Sequence, residues 1–172
     1  MNEPMRKVIF LDIDGVLNTK YWYGQMDRKT SKDQYGYTFD PTSVANLTKI
    51  IKKTGADIII SSSWKEMGLY VMQSMWKDRQ LPGKVIDITP SYMSDEMLLN
   101  ADLNDIDLDC IDIRGYEIKG WLTLHGADVN NYVIIDDMDD ILPEQESYFV
   151  LTDPEVGLTK QDAMKCIAIL NS

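Results

Sequence analysis

Histidine occurs once in this chain, at position 125, and cysteine twice, at 110 and 166. The two cysteines are far apart and show neither a C-x-x-C pair nor a Cys/His metal spacing, which argues against a zinc centre and a disulfide framework and leaves reduced thiols. His125 stands beside Gly126 at the end of a predicted helix, where an imidazole bonds terminal carbonyls, and it receives no catalytic role. Long apolar runs are missing as well: nothing approaches the roughly 18 consecutive apolar residues of a membrane span. The opening MNEPMRKVIFLDID carries its apolar stretch straight into carboxylates, unlike a cleavable signal peptide, so the expectation is a cytoplasmic protein. Positive charge is scarce, with 17 basic against 28 acidic residues and a formal net charge of -11. That balance opposes tight nonspecific binding to DNA or RNA. It leaves room for an anionic substrate, because a divalent cation and a few placed side chains can reverse the potential inside one cleft.

What is present points to one α/β domain spanning residues 1–172, with 44% hydrophobic residues to build its core. Lys7 to Asp12 reads as a buried strand ending in carboxylates. Asp40 and Pro41 start a helix whose apolar face is Val44, Leu47, Ile50 and Ile51, and Gly55 ends it. Ala56 to Ser61 is a second buried strand, and Lys65 to Lys77 a helix with Met67, Val71 and Met75 on one side. Lys84 to Ile88, Tyr132 to Ile135 and Tyr148 to Leu151 read as further strands; Tyr116 to Leu124, closed by Gly126, and Thr159 to Leu170 read as helices. Pro90 to Ile113 shows no clean period and is expected to be irregular. Apolar strands separated by helices predict a doubly wound, Rossmann-like parallel sheet with helices on both faces. Ligands of such sheets sit beyond the carboxyl ends of the strands. Asp12, Asp14, Ser61, Asp136 and Asp137 all fall there.

Three segments carry chemistry. In Asp12-Ile13-Asp14-Gly15-Val16-Leu17-Asn18, two carboxylates alternate before a glycine turn; they suit a magnesium ion, which takes one or two carboxylates, and equally an ordinary solvated turn. In Ile58-Ile59-Ile60-Ser61-Ser62-Ser63-Trp64, a buried strand delivers hydroxyl and amide donors suited to a phosphoryl oxygen, while Ser62 or Ser63 also suits a helix N-cap. In Tyr132-Val133-Ile134-Ile135-Asp136-Asp137-Met138-Asp139-Asp140, four acids in five positions repel one another unless a cation or water screens them.

The set LDIDGVLN, IIISSSW and VIIDDMDD, in that order, resembles motifs one, two and four of phosphatases of the haloacid dehalogenase (HAD) superfamily. SSSW, RGYEIKGWL, YVIIDDMDD and FVLTDPEVGLT resemble more narrowly the HAD domain of multidomain RNA-repair proteins, here expected to stand alone. The resemblance implies that Asp12 attacks phosphorus to form an aspartyl phosphate and that Asp14 protonates the leaving oxygen and later activates water. It also implies that Mg2+ is held by Asp12, Asp14 through its backbone carbonyl, Asp136 and the adjoining Asp137, with Ser61 and Ser62 on the phosphoryl oxygens. Arg114, Lys119 and Lys84 are the candidates for the motif-three cation. Arg114 is favoured because a right-handed crossover starts its helix near the carboxyl edge of the sheet, whereas Lys119 lies roughly 7 Å further down the helix.

The expected function is a Mg-dependent phosphatase acting on a small phosphorylated substrate, with a nucleotide or a nucleic-acid terminus in view. The alternatives are a phosphotransferase or phosphomutase of the same superfamily and a non-catalytic Mg-dependent binding module. About twenty residues separate Asn18 from Asp40, too few for a large cap, so the domain is expected to be capless or to carry a small flap at 19–39. That insert holds Tyr21, Trp22, Tyr23, Tyr35, Tyr37 and Phe39, whose rings suit packing over the domain or stacking on a base.

Overall fold

The computed structural model describes residues 6–91 and 113–172. Most of the stretch from Pro90 to Ile113 that was expected to be irregular lies outside these residues, as does Cys110. Five parallel strands form the sheet: β1 (Arg6–Leu11), β4 (Asp57–Ile60), β5 (Val85–Ile88), β6 (Val129–Asp136) and β7 (Phe149–Leu151), in the order β5-β4-β1-β6-β7. The chain leaves β1 towards β4 and β5, then returns to the other side of β1 to lay down β6 and β7. β1 is therefore the point where the winding reverses, and the crevice beyond its carboxyl end is where ligands of such sheets bind.

Side-chain alternation assigns the two faces. Ile9, Leu11, Ile58, Ile60, Val133 and Ile135 enter one core with Leu47 and Ile50 of helix α2 (Pro41–Thr54). Met72, Met75 and Trp76 of α3 (Leu69–Asp78) and Ala163, Cys166 and Leu170 of α5 (Lys160–Leu170) join them. The intervening residues Val8, Phe10, Ile59 and Ile134 pack on the opposite face against Ile118 and Trp121 of α4 (Ile113–His125). Helices thus cover both sides of a Rossmann-like α/β sheet, as the sequence predicts. Continuous apolar strands are needed because both faces of the sheet are dry.

Local signals explain the element ends. The Asp40 side chain accepts from the Thr42 amide, Pro41 occupies the first turn, and Gly55 closes α2 in the left-handed conformation (φ 67). Thr159 and Asp162 form a reciprocal capping box on α5. The predicted helix from Lys65 to Lys77 does not form as one piece. Gly68, at φ 87 and ψ 156, lies outside helical space and divides it into a 3-10 turn, Ser63–Met67, and α3. Met67 is consequently exposed, and the inward side of α3 is Met72, Met75 and Trp76. The helix predicted to stop at Gly126 runs on into a 3-10 turn, Gly126–Asp128.

The 19–39 insert contains structure that its polar and aromatic composition does not reveal: a short helix α1 (Lys20–Gln25) and a hairpin, β2 (Lys32–Asp33) with β3 (Gly36–Tyr37). Among the described residues, no helix is long and apolar enough to cross a membrane. Cys166 is a free, buried thiol whose pKa burial pushes up to about 12, which makes it unreactive. His125 meets the helix end as expected, its Nδ1 lying 3.1 Å from the Trp121 carbonyl oxygen while the ring stacks on the Trp121 indole.

Candidate active site

The parallel ladder continues one residue past the strands and gathers the polar side chains on one edge. The Asp12 amide donates to the Ile135 carbonyl (3.0 Å), the Ser61 amide to Leu11 (2.9 Å) and the Thr152 amide to Asp136 (2.9 Å). These bonds carry Asp12, Ser61, Asp136 and Thr152 to the carboxyl end of β1 and its neighbours. Carboxylate oxygens of Asp12, Asp136 and Asp137 lie within 4.8 Å of one another. Such a set of hard oxygen donors fits a magnesium ion.

Asp12 and Asp136 are almost completely buried. Burial first of all pushes the Asp12 carboxyl up to about 6, while the Arg114 charge and a hydrogen bond from Ser62 pull it down. Asp136 is pushed up to about 8, first by burial and then by the neighbouring Asp12 charge, with Arg114 again opposing. Two carboxylates confined together in low dielectric resist sharing full negative charge, and a bound cation relieves that conflict.

Arg114 is the described cation that reaches this pair. Its Nε lies 3.1 Å from Asp136 Oδ2, and a terminal nitrogen lies 3.9 Å from Asp12 Oδ1. The closer contact is electrostatic and off the hydrogen-bond axis, since neither Nε nor Oδ2 has a hydrogen-bond partner among the described residues. Arg114 sits inside the first turn of α4 rather than ahead of it. Two ties hold that turn: the Gly115 amide donates to the Asp140 carbonyl (2.9 Å), and Gln145 Nε2 donates to the Gly115 carbonyl (2.9 Å). A Cβ at Gly115 would run into the Leu142 amide nitrogen at 2.6 Å, so the close approach requires glycine. Lower on the same helix, Glu117 forms a buried ion pair with Lys65 (2.7 Å). The other cation candidates lie elsewhere: Lys119 pairs with Glu144 at the surface, and Lys84 precedes β5 and so sits at the amino edge of the sheet.

Asp14 faces a different direction. Its carboxylate is exposed and accepts from the Trp64 indole Nε1 (3.0 Å) and from Asn18 Nδ2 (2.9 Å), outside the Asp12, Asp136 and Asp137 cluster. Ser61 Oγ is buried without a hydrogen-bond partner among the described residues, an uncommon state for a hydroxyl and one that a ligand oxygen would relieve. Ser62 bonds Asp12 and also caps the following turn, accepting from the Trp64 amide at 3.4 Å.

Gly15 makes the loop possible. It has φ 76, and any Cβ there would fall on the Asp137 carboxylate. Its carbonyl accepts from Thr152 Oγ1 at 2.9 Å, which pins the loop to β7. Gly15→Ala is therefore expected to displace Asp137 and weaken magnesium binding by about 10–100-fold, the usual cost of disturbing a ligand's support. Calorimetric titration with Mg2+ checks this, and an unchanged affinity would count against Asp137 as a ligand.

The family model for the HAD domain in Swiss Army Knife RNA repair proteins matches residues 8–163. This chain belongs to that family. No curated protein matches it significantly. The family supports a phosphatase-type hydrolase at the superfamily level and the general use of Mg2+, with which the carboxylate trio of this HAD domain is compatible. Sequence reasoning missed Trp64 and Asn18 as the partners of Asp14, although both stand inside the quoted motifs. It also missed Thr152, which the strand-end rule applied to β7 would have found, and the buried Lys65–Glu117 pair, for which no local signal exists.

Proposed function

We propose that this HAD domain is a magnesium-dependent phosphomonoesterase that works through an aspartyl phosphate on Asp12. The observation that carries the reading is the opposite placement of two aspartates on one loop. Asp12 is buried within the carboxylate trio and near Arg114, whereas Asp14 is turned outwards and held by Trp64 and Asn18. In the first step an Asp12 oxygen bonds to phosphorus, the bond to the leaving oxygen breaks, and Asp14 gives that oxygen its proton. In the second step Asp14 takes a proton from water, the water oxygen bonds to phosphorus, and the bond to Asp12 breaks. Ser61, Ser62 and Arg114 receive the non-reacting phosphoryl oxygens. Asp12, Asp136 and Asp137, with the Asp14 carbonyl, would hold Mg2+, which supplies positive charge against the phosphate dianion.

The family description, which names RNA repair proteins, favours a nucleic-acid end as substrate, and a nucleotide presents the same phosphate monoester. Transfer to an alcohol instead of water is the second outcome open to an aspartyl phosphate, and product analysis with added alcohol separates the two. The buried free thiol of Cys166 accords with a reducing, cytoplasmic setting.

Hydrolysis of a generic aryl phosphate is expected to need magnesium and to vanish on chelation; activity surviving exhaustive chelation would defeat the proposal. Stability provides an independent readout. Both carboxyls have folded values raised from 3.8, to about 6 and about 8, so the stability they contribute is complete below the unfolded value and is lost as pH rises through the folded ones. The metal-free protein is thus weakened by these groups at alkaline pH, where ionised carboxylates bind the cation best. The increase in Tm caused by Mg2+ should be larger at about pH 8.5 than at about pH 5. An increase independent of pH would remove Asp12 and Asp136 as ligands.

A further inference from the structure

The flap forms one side of a half-open cavity of about 650 Å³ beside the loop, within the roughly 300–1,000 Å³ range of sites that bury small organic ligands. Its walls are the rings of Trp22, Tyr23, Tyr35, Tyr37 and Trp64, and its floor includes Asp14, Gly15 and Asp137. Asp12, Ser61, Ser62 and Arg114 do not line it. We infer that this cavity receives the leaving group, and that the group it fits is the base of a nucleoside carrying a terminal phosphate monoester. The inference rests on the proposed function, because it is Asp14 as proton donor that ties the cavity to the leaving oxygen.

The walls are built into the fold. The amides of Lys20 and Tyr21 donate to the carbonyls of Pro154 (3.1 Å) and Glu155 (3.0 Å), which satisfies the first turn of α1 and anchors it on the loop after β7. Thr19 Oγ1 donates to Asp40 (2.7 Å), and Trp22 Nε1 donates to the Thr38 carbonyl (3.0 Å). The hairpin is bolted to α3 by two 2.8 Å bonds from Arg79 to Asp33 and by the Tyr35 hydroxyl on Asp78 (2.6 Å). Tyr23 and Tyr37 meet edge to face at 5.4 Å. The rings are held in place before a ligand arrives, which lowers the cost of ordering on binding.

The chemistry of the lining selects the occupant. Indole and phenol faces stack on a planar base whatever its identity. Both indole N–H groups on the wall are already spent, on Thr38 and Asp14, so they do not read a base edge. The pocket should therefore tolerate all bases and favour purines through their larger area. Lys20 at the rim is paired with Glu155, and Asp14 and Asp137 add negative charge, so the site offers little to a second phosphate. A free mononucleotide and the last nucleotide of a strand present the same base and monoester.

The test compares kcat/KM for 3′- and 5′-nucleoside monophosphates, short oligonucleotides with a terminal phosphate, glycerol phosphate and a hexose phosphate, using wild type, Tyr37→Phe, Tyr37→Ala and Trp22→Ala with Mg2+ present. Unphosphorylated adenosine is titrated in parallel, with tryptophan fluorescence as the readout, and thermal unfolding checks each variant. Nucleotide substrates should be preferred, and adenosine alone should quench the emission. Each alanine should reduce the preference for nucleotide over glycerol phosphate by roughly 5- to 150-fold, whereas Tyr37→Phe, which keeps the ring, should retain most of it. The ratio between mononucleotide and oligonucleotide identifies the source, and either preference supports the pocket. Magnesium-dependent turnover without nucleotide preference or adenosine quenching would overturn the inference and leave the phosphatase reading standing. Adenosine binding that Tyr37→Ala weakens, without turnover of any ester, would keep the pocket and defeat the phosphatase reading.

Discussion

Asp12→Asn is expected to remove phosphatase turnover by about 10⁴-fold or more while making the metal-free protein more stable. The amide has nearly the size of the carboxylate but cannot act as the attacking oxygen, and removal of a covalent nucleophile is among the largest single losses an enzyme shows. The gain in stability has the same origin. Asp12 is 5% exposed and crowded by acids, and its folded value is raised to about 6, so the native protein favours its neutral form. A neutral asparagine meets that preference and should add on the order of 1–3 kcal/mol near pH 7.5, a net figure because the folded value already includes the opposing attraction of Arg114. The difference from wild type should shrink as pH falls from about 6 to about 4 and be gone below that, where Asp12 is protonated in both states. Chemical denaturation across pH and steady-state kinetics on one preparation test both parts, with mass spectrometry excluding deamidation. Retained turnover would remove Asp12 as nucleophile, and a less stable variant would show that Arg114 and Ser62 outweigh the burial penalty.

Asp14→Asn is expected to cost about 10²–10⁴-fold, and the size should follow the leaving group. An alkyl phosphate releases a poor leaving alkoxide that needs a proton, so its loss should sit at the upper end. A nitrophenyl phosphate releases a stable phenolate and should still phosphorylate Asp12. Hydrolysis of the aspartyl phosphate then lacks its base, so the variant should show a burst of phenolate and accumulate phosphoenzyme that acid quenching traps. The folded state should change little, since Asp14 is exposed: the amide oxygen can keep the bond from the Trp64 indole, and the amide nitrogen can donate to Asn18 once the Asn18 side chain flips to present its oxygen. Equal losses for both substrates with no burst would reduce Asp14 to an anchor for the Trp64 indole.

The strand-end aspartates were legible because the β-branched runs before them leave few alternatives: a continuous apolar strand is buried on both faces, and its first polar residue marks the edge where it emerges. Asp12, Ser61 and Asp136 each follow such a run, so the sequence alone brings them to one side of the sheet. The caps of α2 and α5 were equally legible, since Asp40-Pro41 and Thr159 act within a single turn. The break at Gly68 was not legible, because a glycine within an apparently periodic segment is compatible with a helix until its φ is known.

What the sequence determined by itself, then, was the α/β class, the order of the strands' polar ends and the HAD motifs, all of which depend on neighbours a few residues apart. The crossover rule favoured Arg114 from the sequence, and the tertiary structure put it against the carboxylates. Arg114, Lys119 and Lys84 are chemically similar in sequence, but just one stands where the Gly115–Leu142 contact and the Gln145 bonds seat α4 beside Asp136. The opposite orientations of Asp12 and Asp14, and the closure of the aromatic insert into a cavity, were likewise decided by tertiary structure. Trp64 reaches Asp14 from 50 residues away and Asp33 meets Arg79 across 46, and contacts at such separations leave no local pattern to read.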